Sequence, residues 1–169
     1  SGGVANQPRD VGFQTRSVLD GASARGSMNA SAAAFTASRP NGAAGNGSLM
    51  RTGPIALAHP GDRVAIAALA RSVSALTHPD PDCVAACVLW SVAIDRLIHD
   101  APPSEEPVDF AAVVAHGLDR LPANERGRWR DLIAEAATAR PTDFANNGWV
   151  VAAFQAALAA ITSTPVPPG

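Results

Sequence analysis

Two stretches, residues 82–99 and 149–161, are apolar around most of a helical circumference. A helix without a polar face cannot lie on a surface and has to be wrapped by other elements. A chain with two such helices must fold around them, and nowhere does it show the period-two alternation of a half-buried strand. The expected fold is therefore all-α, packed around these two segments. With 169 residues, 47% of them hydrophobic, the chain is long enough to bury a real core.

Periodicity and helix punctuation place the other elements. Val11 to Ala22 reads as a helix capped by Asp10, with Phe13, Val18 and Leu19 facing inward, and Ser27 to Thr36 as a second. Residues 38–48 hold three glycines, a proline and two asparagines and read as an irregular loop. A helix over Leu49 to Leu57 follows, then a turn at His59-Pro60-Gly61-Asp62 and a helix over Val64 to Leu76. Asp80 caps the central helix and Pro81 suits its first position. Beyond an acidic, Pro-rich connection at 101–107, helices are expected over Val108 to Leu121, Ala123 to Ala139 and Trp149 to Ile161. Ser1 and the Pro-rich run 164–169 read as ends cut from something longer, so 1–169 is expected to be the central part of a larger all-α domain.

Charge narrows the function classes. A net charge of -2 lacks the basic excess that a nucleic-acid surface needs. No apolar run is long enough for a membrane span and no signal peptide is evident, which reads as soluble and cytoplasmic. Cys83 and Cys87, four residues apart on one helix face, read as small core residues and not as a disulfide or a metal pair.

Three places could carry chemistry. Gly45-Asn46-Gly47-Ser48 feeds a helix start, where free backbone N–H groups and missing side chains could cradle a phosphate. The plain alternative is a loop ending in a Ser cap. His78, in the break between two helices, reads as an exposed donor for a ligand phosphate or ribose, or else as a solvated or capping histidine. Asn146-Asn147-Gly148-Trp149 is either a capped helix start with a core tryptophan or the rim of a pocket. No complete catalytic set accompanies them.

In sequence order the segments resemble the ADP-ribosylglycohydrolases. The resemblance rests on Asp10-Val11-Gly12 with Thr15, the run Gly45-Asn46-Gly47-Ser48-Leu49-Met50-Arg51 with Pro54, Leu76-Thr77-His78 with Pro81, and Asn147-Gly148-Trp149-Val150-Val151. It implies an all-α, orthogonal multi-helix bundle, incomplete here, that holds ADP-ribose in a cleft over two divalent ions, usually Mg²⁺, and hydrolyses the bond joining ADP-ribose to a modified protein side chain, often arginine. By the same resemblance Gly45, Asn46, Gly47 and Ser48 would contact the phosphates and ribose, His78 the substrate, and Trp149 the adenosine side. The implied partner is ADP-ribose or an ADP-ribosylated protein.

The departures carry equal weight. The family's early Thr-Asp-Asp-Thr run and late Asp-x-Asp-Thr/Ser run do not occur, so no metal ligand and no catalytic residue is assigned. Three readings follow: part of a Mg²⁺-dependent glycohydrolase, a family-derived ADP-ribose-binding or structural protein without catalysis, and an unrelated helical scaffold. If the metal-bearing helices are missing, the faces of Val84–Ile98 and Val150–Ile161 should be left bare, open to self-association or to the missing segments.

Overall fold

The computed structural model describes residues 12–39, 42–100 and 108–164. Asp10, Val11, the connection at 101–107 and the tail at 165–169 lie outside the described residues. Eight α-helices are found there: α1 Phe13–Arg25, α2 Met28–Ala37, α3 Leu49–Thr52, α4 Arg63–Ala75, α5 Pro81–His99, α6 Phe110–Ala115, α7 Ala123–Thr138 and α8 Val150–Ser163. Among the described residues the only extended pairing is an isolated bridge between Gly45 and Trp149, so the chain is all-α.

Local chemistry explains the boundaries. Ser27 caps α2 by accepting from the Ala30 amide, Asp62 caps α4 through Ala65, and Asp109 caps α6 through Ala112. Asp80 accepts from the Asp82 amide at 2.9 Å and Pro81 opens α5, where its missing N–H costs nothing. Two expected helices change character partway. The segment from Leu49 makes one α-turn and then a 3₁₀ stretch, Gly53–Leu57, because Pro54 cannot donate to the α-helical ladder. The segment after Val108 shortens to α6 and a 3₁₀ turn, His116–Arg120. There Gly117 lies so close to α5 that a side-chain carbon on it would sit 3.1 Å from Leu89 Cδ2.

Helix α5 is the hub: α3, α4, α6, α8 and both of these 3₁₀ stretches pack on it. Its buried face runs from Cys83 to Ala93 and ends at Asp95. The Asp95 carboxylate is buried but paired, accepting from the Gly61 amide at 2.8 Å and from Arg63 Nε at 3.1 Å. On the other side α7 packs on α8, where Phe154 meets Trp90 and Trp129 edge-on with centroids 5.7 and 5.2 Å away. Trp129 Nε1 finds no hydrogen-bond partner, so this ring is held for its apolar area.

The expected bare faces are not found. In α8, Val150, Val151, Phe154, Leu158 and Ala159 are all buried, and the exposed large apolar side chains of the two helices are Ile98 and Ile161, each in a last turn. The covering helices come from the described chain itself. In α1 the inward face also differs from expectation: Val18 is buried, but Phe13 and Leu19 are exposed and Gln14 points inward.

Candidate functional site

The glycine loop is fastened on two sides. Above, it pairs with the start of α8: the Val150 amide donates to the Ala44 carbonyl at 2.9 Å and the Asn46 amide to the Gly148 carbonyl at 3.2 Å. Asn46 Nδ2 adds a bond to the Asn147 carbonyl at 2.7 Å. Below, the Cys83 thiol donates to the Gly45 carbonyl and the Cys87 thiol to Ser48 Oγ, both from α5. Burial raises the Cys83 pKa, which keeps it a neutral thiol and an unreactive floor.

This corrects part of the phosphate-nest reading. The Asn46 amide is already engaged, and the helix that follows the loop is a single turn with little macrodipole to offer. Ser48 is fully buried, with its hydroxyl turned down to Cys87 and no capping bond of its own. Neither Gly45 nor Gly47 has a positive φ. What requires glycine is close approach: a side-chain carbon on Gly47 would lie 3.0 Å from His78 Cε1 and 3.1 Å from Nε2.

His78 is therefore not the exposed donor the sequence implied. It is 2% exposed and packed under the glycines, with only the Nε2 edge reaching the loop. Its Nδ1 lies 2.7 Å from Thr77 Oγ1, and its own amide and carbonyl are both tied to Ser74. Burial, and then the nearby Arg51 charge, push its pKa down to about 4, so it is neutral at pH 7. Arg51, half-buried, donates to the Gly47 carbonyl at 3.3 Å, the Val73 carbonyl at 3.0 Å and Thr77 Oγ1 at 2.7 Å. Burial in turn lowers the Arg51 pKa from its ordinary value.

The buried neutral histidine has a pH consequence. Unfolded, its pKa is near 6.5; folded, it refuses a proton until about pH 4. Protons are then bound preferentially by the unfolded chain across that interval, so stability rises with pH from about 4 to 6.5. Melting curves of the wild type and His78→Gln over this window check it: the variant should lose part of the slope, and an unchanged slope would assign the pH dependence elsewhere.

Gly45, Asn46, Gly47, Gly148 and His78 line one cavity of about 490 Å³, within the range of roughly 300–1,000 Å³ typical of small-molecule sites. Gln14 and Thr15 of α1 complete its floor, and Gln14 Nε2 donates to the Thr77 carbonyl at 2.9 Å. Phe13, Phe35, Arg39 and Met50 form its mouth. There the Phe13 and Phe35 rings stand 6.1 Å apart, with the Arg39 guanidinium 4.6 and 5.0 Å from their centroids. Trp149 lends its backbone, as the residue bridged to Gly45, but its half-exposed ring is not part of the lining. Ser48 is likewise outside it.

Sequence reasoning missed Gln14, Arg51, Thr77 and the aromatic mouth as site residues. Thr77 and Arg51 lie inside the motif runs already noted; only their partners, 26 residues apart, give them a role. Among the described residues no three His, Cys, Asp or Glu side chains are grouped to hold a metal ion, and no carboxylate lines the cavity. The described residues therefore do not fit the Mg²⁺ that the resemblance implies. Nor is any described helix long and apolar enough to cross a membrane.

The described residues define an all-helical protein with a pocket under a glycine loop. The family profile for ADP-ribosylglycohydrolase matches residues 2–167. The chain belongs to that family of hydrolases, and the reading as an unrelated helical scaffold is set aside. No curated protein and no solved structure matches the chain significantly.

Proposed function

We propose that this chain binds ADP-ribose, free or attached to a protein side chain, in the cavity beneath the glycine loop. The observation that carries the reading is the lining: glycine backbone, a neutral histidine edge and two arginines, with no carboxylate among the described lining residues to repel a pyrophosphate. Arg51 is committed to the protein's own oxygens, which leaves Arg39 at the mouth as the charge available to an incoming phosphate. The exposed Phe13 ring beside Phe35 offers a π-face of the kind a purine base stacks on. Gly45, Asn46 and Gly47 act through the backbone, Ser48 by holding the loop from below, and Trp149 through its bridge to Gly45.

Hydrolysis of the glycosidic bond in this reading needs metal ligands that the described residues do not supply. In this reading the chain supplies the ligand-binding loops of a family glycohydrolase, or binds ADP-ribose without catalysis. Its two free, buried cysteines suit a reducing compartment, and we place it in the cytoplasm. Two assays test the reading. Calorimetric titration with ADP-ribose in the presence of a chelator should show one saturable site. Incubation with Mg²⁺ and an ADP-ribosylated arginine peptide should release no ADP-ribose. Metal-dependent turnover would show that the chain carries its own metal site, and absence of binding at millimolar ADP-ribose would remove the proposal.

A further inference from the structure

The hydrogen bonds under the glycine loop have a direction that can be read by counting protons. A guanidinium has no acceptor, so Arg51 Nη2 donates to Thr77 Oγ1, at 2.7 Å. The same oxygen lies 2.7 Å from His78 Nδ1. Thr77 is 3% exposed, so its hydroxyl proton must find an acceptor inside the protein. If Nδ1 carried the imidazole proton, Thr77 Oγ1 would accept from both neighbours and its own O–H would be a buried donor with no partner. If Nδ1 is bare, the hydroxyl donates to it and both Thr77 Oγ1 and Nδ1 are satisfied. The neutral imidazole then has its proton on Nε2, the nitrogen that faces Gly45 and Gly47 and borders the cavity.

We propose that Arg51 and Thr77 are positioning residues that lock His78 in its Nε2–H tautomer, so that it meets a ligand in the cavity as a hydrogen-bond donor only. As part of the ADP-ribose reading, this makes His78 a fixed donor for a phosphate or ribose oxygen and rules it out as a base at Nε2. Gln14 has the complementary polarity. Its amide nitrogen is committed to the Thr77 carbonyl, so its Oε1, on the Gly45 side, is an acceptor. The floor therefore offers one donor and one acceptor side by side, which a sugar hydroxyl can satisfy together. The neutral state of His78, held by burial, is what lets Nδ1 act as an acceptor at all.

The test is a long-range proton–nitrogen spectrum of protein labelled with ¹⁵N in its histidines, His78 being assigned by its loss in His78→Gln. The wild type without ligand should show a protonated Nε2 and an unprotonated Nδ1 at neutral pH. Thr77→Val removes the hydroxyl and should give His78 a mixture of the two neutral tautomers, with ADP-ribose bound about tenfold more weakly. Thr77→Ser should restore both the wild-type spectrum and the affinity, which a loss of packing alone would not explain. A protonated Nδ1 in the wild type, or a tautomer unchanged in a folded Thr77→Val protein, overturns the proposal. If Thr77→Val does not fold, the wild-type and Thr77→Ser spectra decide. The Nε2–H signature without any ADP-ribose binding would leave the lock in place and remove only the ligand reading.

Discussion

Replacing Gly47 with leucine is expected to abolish ADP-ribose binding. The first atom of any side chain there would already lie 3.0 Å from the His78 ring, and that ring is pinned by Thr77 and cannot swing away. The loop itself is tied to α8 and α5, so it too has little room to yield. Overpacking of this kind costs about 1–3 kcal/mol, and it displaces the loop and the histidine together. An affinity loss of roughly a hundredfold or more follows if two ligand contacts go at once, at about 1.4 kcal/mol per factor of ten. Titration calorimetry on the variant, with a melting curve to show that it folds, checks this. A folded Gly47→Leu protein with wild-type affinity would mean that the ligand does not use this loop.

The second large effect concerns the core. Phe154→Ala is expected to cost about 3–5 kcal/mol, the usual range for removing a buried aromatic ring. Phe154 is fully buried at the meeting point of α5, α7 and α8, with Trp90 and Trp129 packed edge-on around it. Neither tryptophan can refill the space without leaving its own contacts. For a chain of this size the loss corresponds to a drop in Tm on the order of 10 °C. Because α8 opens beside the glycine loop, the variant should also bind ADP-ribose less tightly as it approaches its melting point. A drop of only a degree or two would show that the junction repacks.

Much of the helical layout was legible because it rests on local rules. The Asp80 cap, Pro81 at the first position of α5 and the apolar circumference of α8 all act within a turn or two of sequence. Pro54 was equally visible, but the expected helix over Leu49 to Leu57 did not allow for its missing N–H, which ends the α-helical ladder and leaves a 3₁₀ stretch. Periodicity gave Phe13 and Leu19 an inward place that the packing does not honour, since amphipathic pattern predicts a face and not what that face meets. The bare faces expected on α5 and α8 failed for the same reason. Nothing in their own sequences says that α4, α6 and α7 will close around them.

The site was legible as a set of places and not as a set of roles. The glycine loop and His78 do meet in one cavity, but the histidine's burial is a tertiary fact that residues 76–81 alone do not encode. Ser48 looked like a ligand contact or a cap and instead hydrogen-bonds downward to Cys87. Trp149 looked like a pocket wall and contributes backbone. Conversely Thr77, though inside a motif run, and Gln14 were given no role, because a threonine and a glutamine become informative only when their partners, from Arg51 to the Thr77 carbonyl, are known.

The central claim is that ADP-ribose occupies the cavity under the glycine loop, and the most direct test is where a titration perturbs the protein. Backbone amide spectra of the ¹⁵N-labelled chain, recorded with increasing ADP-ribose and a chelator present, should shift in a saturable way. The largest changes should fall at residues 13–15, 45–47, 78 and 148–149, with the α7 amides unmoved. Saturable shifts centred on another surface, or none at millimolar ligand, would contradict the account.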